Sequence, residues 1–251
     1  MNEQFSSHRL GLLIRNDIVD SYRSVLFVSA TILCIMVINA LINGVSGSNG
    51  NAYAAWFPAL LFGWGTIVAS FAFAELHDKA KNHAYLLLPA SALEKTLARL
   101  LYGLVGFVPY LLVLTTVASF VAEGASLAFF GRGNRVFDPF EPTVWLLIRN
   151  FVVVQSFFFL GAAWFRKAHY VKTVMSLAII AVGLSCLFVL LARLVIGSGN
   201  FEGSTFPGGL PLPALEGVWV GIRIVYFVVL PILCWSVAWL RVKETQVSHG
   251  V

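Results

Sequence analysis

Two imidazoles in one polar stretch are the first place to look for chemistry. His77 and His83 stand six residues apart, among Glu75, Asp78, Lys79 and Lys81. Imidazoles beside carboxylates can hold a metal ion or move a proton. A spacing of six, however, puts the two on different faces of a helix. The HExxH pattern is absent, and no nucleophile signature accompanies His77 and Asp78. The three cysteines, Cys34, Cys186 and Cys234, lie inside apolar runs without metal-ligand spacing and read as small buried apolar side chains. GxSxG, paired intramembrane aspartates and the GxxxxGK[ST] phosphate loop are also missing. The expectation is a chain with no catalytic residue, no metal and no bound cofactor of its own.

The same polar stretch opens a segment, residues 75–99, whose turn chemistry is explicit. An apolar patch at 85–88 breaks at Pro89, Ser91 follows, and Glu94 comes three residues later. That is the spacing of a capping box, in which Ser91 accepts from the amides of a new helix and Glu94 reaches back to the Ser91 amide. The new helix would run through Lys95 and Arg99 into the next apolar run. The segment thus reads as two short helical pieces around a proline corner, a docking surface. Near the N-terminus, Leu10, Ile14, Ile18 and Tyr22 recur every four residues, with His8, Arg9, Arg15, Asn16, Asp17 and Asp20 on the other faces. Residues 1–23 therefore predict an amphipathic helix lying on the membrane surface. Arg149, Arg193 and Arg223 sit near span ends. There they snorkel or pair with Glu123, Glu141, Glu202 or Glu216, or form an outer basic collar for an anionic or lipidic substrate.

The elements that must position these residues follow from composition. Of 251 residues, 59% are hydrophobic and only 12% charged, and the mean hydropathy is +0.83. An ordinary soluble domain carries about 25% charge, so a water-soluble globule and a disordered chain are both excluded. The reading is an all-α integral membrane protein, one domain over 1–251. Its six spans fall near 24–43, 55–74, 100–122, 144–165, 173–196 and 218–240, each close to the roughly 20 residues a crossing needs. Residues 1–23 carry acids and no A-x-A cleavage site, so the first span is expected to serve as an uncleaved anchor. Twelve Lys and Arg fall on one side of this layout and five on the other. The excess places both termini and the 75–99 loop in the cytoplasm. The net charge of +5 and pI near 9.3 then concern anionic membrane lipids rather than nucleic acid. No Asp, Glu, Lys or His falls mid-span; the deepest polar groups include Asn39, Thr115, Gln155 and Ser156. That argues against an ion-coupled carrier.

With these residues in view, the chain resembles the permease subunits of the ABC-2 type (type V exporter) family of ABC transporters. The likeness rests on residues 85–99, YLLLPASALEKTLAR, where Leu-Pro and a Ser precede a helix carrying Lys into the third span. Residues 155–173, QSFFFLGAAWFRKAHYVKT, are similar to small permeases of the same kind. The resemblance implies a bacterial inner-membrane subunit that forms a pathway with a second permease chain, identical or a sister. A separate ABC ATP-binding subunit would bind ATP and Mg and hydrolyse ATP. Its movement would be received by a coupling helix near residues 75–86, through contacts on Glu75, Asp78, Lys79 and Lys81, with a contribution from the entry helix. The competing reading is a membrane scaffold that assembles other proteins and transports nothing.

Overall fold

The computed structural model describes residues 6–46, 53–77, 90–131, 135–165, 168–196 and 212–248. Among them the chain is helical, with turns and no strand. The helices are α1 (Ser7–Ser46), α2 (Tyr53–Ser70), α3 (Ala74–His77), α4 (Ala92–Leu101), α5 (Phe107–Phe130), α6 (Pro142–Trp164), α7 (His169–Ile196), α8 (Leu212–Ile224) and α9 (Leu230–Ser248). Single π-helical stretches, Tyr102–Gly106 and Val225–Val229, join α4 to α5 and α8 to α9 without a break. Among the described residues five helices are long and apolar enough to cross a bilayer: Ser7–Ser46, Ala92–Phe130, Pro142–Trp164, His169–Leu191 and Trp219–Thr245. Ala55–Ser70 is apolar but shorter. The described residues are thus all-helical with several long apolar helices, consistent with the all-α membrane protein expected from composition.

Three boundaries differ from the sequence reading. Residues 1–23 do not form a separate surface helix from Ser7 on: α1 is one helix of 40 residues, about 60 Å at 1.5 Å per residue. Nothing between Asp20 and Phe27 is a Gly or Pro, so no breaker divides the amphipathic part from the apolar part. The third apolar helix does not end at Ala122 but runs to Phe130 and stops at Gly131, which takes the left-handed backbone (φ 65°) that glycine tolerates. Glu123, assigned to an outer loop, is inside it and buried, accepting a 2.6 Å hydrogen bond from Tyr53 Oη. Thirdly, residues 71–73 form a turn between α2 and α3, so the polar stretch does not continue the second span directly. Bonds from the Ala74 and Leu76 amides to the carbonyls three residues back tighten the chain here. They let Phe73, 1% exposed, stack edge-on against Phe159 at 4.9 Å.

Two apolar cores hold the helices. The larger joins α1, α2, α5 and α6 around Phe57, Leu61, Phe107, Leu111 and Phe151, all buried. Gly65 is the close approach that allows it, since a Cβ there would come within 2.5 Å of Phe151 and 2.9 Å of Phe107. The smaller core gathers Phe73 and Leu76 with Ala92 of α4, Phe159 and Ala162 of α6, and Ala238 and Val242 of α9. It lies at the end of the bundle where α1 begins, beneath the start of α4. α1 and the α4–α5 rod run parallel. Ser6 meets Glu94, Asp17 meets Arg99, the hydroxyls of Ser29 and Tyr110 are hydrogen-bonded, and Gly44 abuts Ser126 and Phe130. The helix Ala92–Phe130 spans 39 residues, about 58 Å at 1.5 Å per residue, against about 30 Å of hydrocarbon. Its charged first turns thus stand outside the membrane-spanning stretch.

Candidate functional site

The charged end of the bundle is organised by one carboxylate. Ser91 takes an extended backbone (φ −69°, ψ 157°), which stops the helix from continuing backwards and turns its hydroxyl over α4. Its Oγ accepts from the Glu94 amide at 3.2 Å, and Glu94 Oε2 accepts from the Ser91 amide at 2.8 Å. Both halves of the capping box are formed. The other oxygen, Glu94 Oε1, accepts from the Ser6 amide at 2.7 Å. The Ser6 carbonyl accepts the first bond of α1, from the Leu10 amide at 3.1 Å, so Ser6 is that helix's cap. A single anion therefore closes the positive ends of two helices, with Glu94 reaching a cap residue 88 positions away in sequence. Glu94 is fully buried. Burial pushes its carboxyl up, but the Ser6 and Ser91 amides and the Arg9 charge outweigh it and hold the group below the ordinary glutamate value.

A second tie lies further along the two rods. Asp17 of α1 is 8% exposed and pairs with Arg99 of α4 at 3.3 Å. This corrects the sequence reading of the N-terminal helix at Asp17, which that reading assigns to a polar outer face: the acid is turned inward by its partner. Ile18 and Tyr22, 52% and 47% exposed, remain on an outward face. Beside Glu94, Lys95 is also buried, and burial lowers its pKa. The first two turns of α4 are thus gripped by α1 on one side and by α9 and α6 on the other, through Ala92, Ala162 and Val242. Such a contact should be strong enough to detect. Asp17→Asn is expected to lower thermal stability by about 1–3 kcal/mol, the cost of a lost charged hydrogen-bonding partner. The exchange Asp17→Arg with Arg99→Asp should recover part of that loss in a double-mutant cycle on the detergent-purified protein. Additive losses would show that the two side chains do not work as a pair.

Of the residues read as partner contacts, Glu75 lies in α3, with its side chain outside the described residues. Asp78, Lys79, Lys81, Pro89 and His83 are likewise outside them. The three arginines of the proposed collar have separate settings. Arg149 stacks over the Phe227 ring at 4.2 Å, a cation–π contact. Arg193 and Arg223 are exposed on α7 and α8. No ion pair or hydrogen bond among the described residues joins the three. Nor do the described residues hold a group of three His, Cys, Asp or Glu that could take a metal ion. The arrangement at Glu94 is mechanical: it fixes the start of α1 to the start of α4 through directed bonds. Sequence reading missed the Ser6 and Arg99 halves of this latch. It also passed over Gln155, noted only as a deep polar residue, whose amide has no hydrogen-bond partner among the described residues. No protein-family model matches the chain, and no curated protein or solved structure does so either.

Proposed function

We propose that the chain is the membrane-spanning subunit of an ABC-2 type exporter in a bacterial inner membrane. In this reading it crosses six times with both termini in the cytoplasm. It pairs with a second permease chain, identical or a sister, and is driven by a separate ABC subunit that binds and hydrolyses MgATP. The observation that carries the proposal is the double cap on Glu94. A subunit moved from outside needs its cytoplasmic elbow rigidly joined to its spans, because a slack joint would absorb the stroke. Glu94 and the Asp17–Arg99 pair join α4, at the exit of the elbow, to the first three turns of α1, a helix that continues unbroken to Ser46. The smaller core joins the same turns to α6 and α9. The ABC-2-like stretch 85–99 is the stretch that supplies the latch residues Ser91, Glu94 and Arg99.

Reversing two charges on the elbow tests this. The pair Glu75→Lys and Lys79→Glu should cut recovery of an ATP-binding subunit with the affinity-purified chain at least fivefold, while membrane insertion stays unchanged. An ATP-binding subunit recovered equally well with the reversed elbow would remove these contacts from the reading. A chain that purifies with other membrane proteins and no ATP-binding subunit would make it a scaffold instead.

A further inference from the structure

Two cavities adjoin between α1, α2 and the α4–α5 rod, and they differ in chemistry. The larger, about 640 Å³, is walled by apolar and aromatic side chains including Ile18, Leu26, Trp64, Val105, Phe107 and Tyr110. Its volume is within the roughly 300–1,000 Å³ of small-molecule sites. Ile18, Leu26 and Val105 on its rim are more than half exposed, so it opens sideways, toward the surface that faces lipid. The smaller, about 260 Å³, runs inward from the exposed Ser24, Ile67 and Phe71 past Arg99 and Gly103 to the buried Gln155. Val25, Trp64, Val68 and Tyr102 line both, so the two compartments share one wall.

Gln155 is what makes the inner compartment a site rather than a packing gap. Its side chain is 1% exposed, and neither amide atom has a hydrogen-bond partner among the described residues. A buried amide without a partner costs about 1–3 kcal/mol. Gly103 lies directly beside it: a Cβ there would be 3.4 Å from Gln155 Nε2, an ordinary contact distance. The amide offers a donor and an acceptor together, the complement of a hydroxyl or an ester-hydroxyl head. Arg99 lines the same space but is already paired with Asp17, so this end presents no net charge to attract an anion.

We propose that the paired cavities bind a single-chain amphiphile with an uncharged, hydroxyl-bearing head. The head hydrogen-bonds Gln155 in the inner compartment, and the aliphatic chain lies along Trp64 and Tyr110 toward the lateral opening. The proposal rests on the chain being embedded in lipid and not on its having an ATP-driven partner. Trp64, in the shared wall, reports on the chain directly. In phosphatidylcholine nanodiscs carrying the full-length protein, a monoacylglycerol with a dibrominated chain should quench tryptophan fluorescence along a saturable curve. That saturable part should vanish in Trp64→Phe. It should weaken at least tenfold in Gln155→Leu, where a similar-sized apolar side chain replaces an unpartnered amide and folding is retained. Ser24→Leu, an exposed position on the polar compartment, is a second variant with the same expected direction. The dibrominated fatty acid of equal chain length, tested at a pH where it is anionic, should bind at least tenfold more weakly. Quenching that only rises linearly with bromolipid fraction would mean simple partitioning and would overturn the site. Saturable quenching unaltered by both Gln155→Leu and Ser24→Leu would overturn the role of the inner compartment. Equal affinity for the anionic acid would overturn the uncharged head.

Discussion

Glu94→Ala is expected to unfasten the start of α1 from the start of α4 and leave the rest of the bundle assembled. The substitution removes the acceptor for both the Ser6 and Ser91 amides, and losing a buried acceptor costs about 1–3 kcal/mol at each donor it strands. The loss is local, because the larger core around Phe57, Phe107 and Phe151 does not touch this carboxylate. Hydrogen exchange is the measurement: amides of the first turns of α1 should exchange at least tenfold faster, while those in the middle of α6 keep their protection. Exchange at Leu10 through Leu13 that matches the wild type would show that α1 is held by other means. Acid gives a second arm with a defined sign. The carboxyl lies below its ordinary value in the folded chain, so its contribution is complete above the ordinary glutamate value and is lost as pH falls through the lowered one. The wild-type latch should therefore loosen on acidification below that ordinary value. In Glu94→Gln the exchange at α1 should lack that carboxylate-linked part of the pH dependence.

The latch also shows which parts of the molecule can be read from the chain alone. The capping box is legible because its partners are three residues apart, and the pattern S-x-x-E encodes its own geometry. The Ser6 amide on the same carboxylate is not legible, because the pairing comes from two parallel helices packing together. Asp17 is half legible. On a helical wheel it lies about 20° from Leu10 and about 40° from Leu13, on the inward face, but the Arg99 that makes an inward acid favourable comes from another helix. The continuity of α1 is legible in principle, since residues 20–27 contain no breaker; the shift from mixed to apolar composition there does not mark the end of an element. Glu123 lies just past the expected end of the third span, where a Gly- and Pro-rich connection is read from the chain, and an acid inside an apolar helix is expensive. Tyr53 offsets that with a direct hydrogen bond, another long-range contact. The all-α membrane class needed none of this, because it follows from composition summed over the chain.

The α6–α7 hairpin depends on a glycine that no propensity scale favours. Gly161 is in the last turn of α6, where its carbonyl accepts from the Phe165 amide at 2.9 Å. A Cβ on Gly161 would overlap the Thr173 hydroxyl and lie 2.9 Å from its Cβ and Cγ2. Thr173 cannot yield easily. It is 3% exposed, its Oγ1 donates to the His169 carbonyl at 2.7 Å, and its branched side chain is stiff about χ1. Gly161→Ala should therefore lose about 1–3 kcal/mol to overpacking, against the roughly 1 kcal/mol that alanine gains over glycine inside a helix. Gly161→Val, which adds two more carbons at the same contact, should prevent stable assembly of the hairpin and show as loss of monodisperse protein after extraction. The decisive comparison removes the obstacle instead. Thr173→Ala alone should be mild, and Gly161→Ala with Thr173→Ala should recover most of the melting temperature lost by Gly161→Ala. The coupling would then be large and favourable, as for two residues in direct contact. A double variant no more stable than the sum of its parts would mean that the helices do not approach through this pair. Such close approach through a small residue is how helices pack where lipid offers no hydrophobic drive for association, so the same glycine that weakens α6 as a helix is what lets α7 dock onto it.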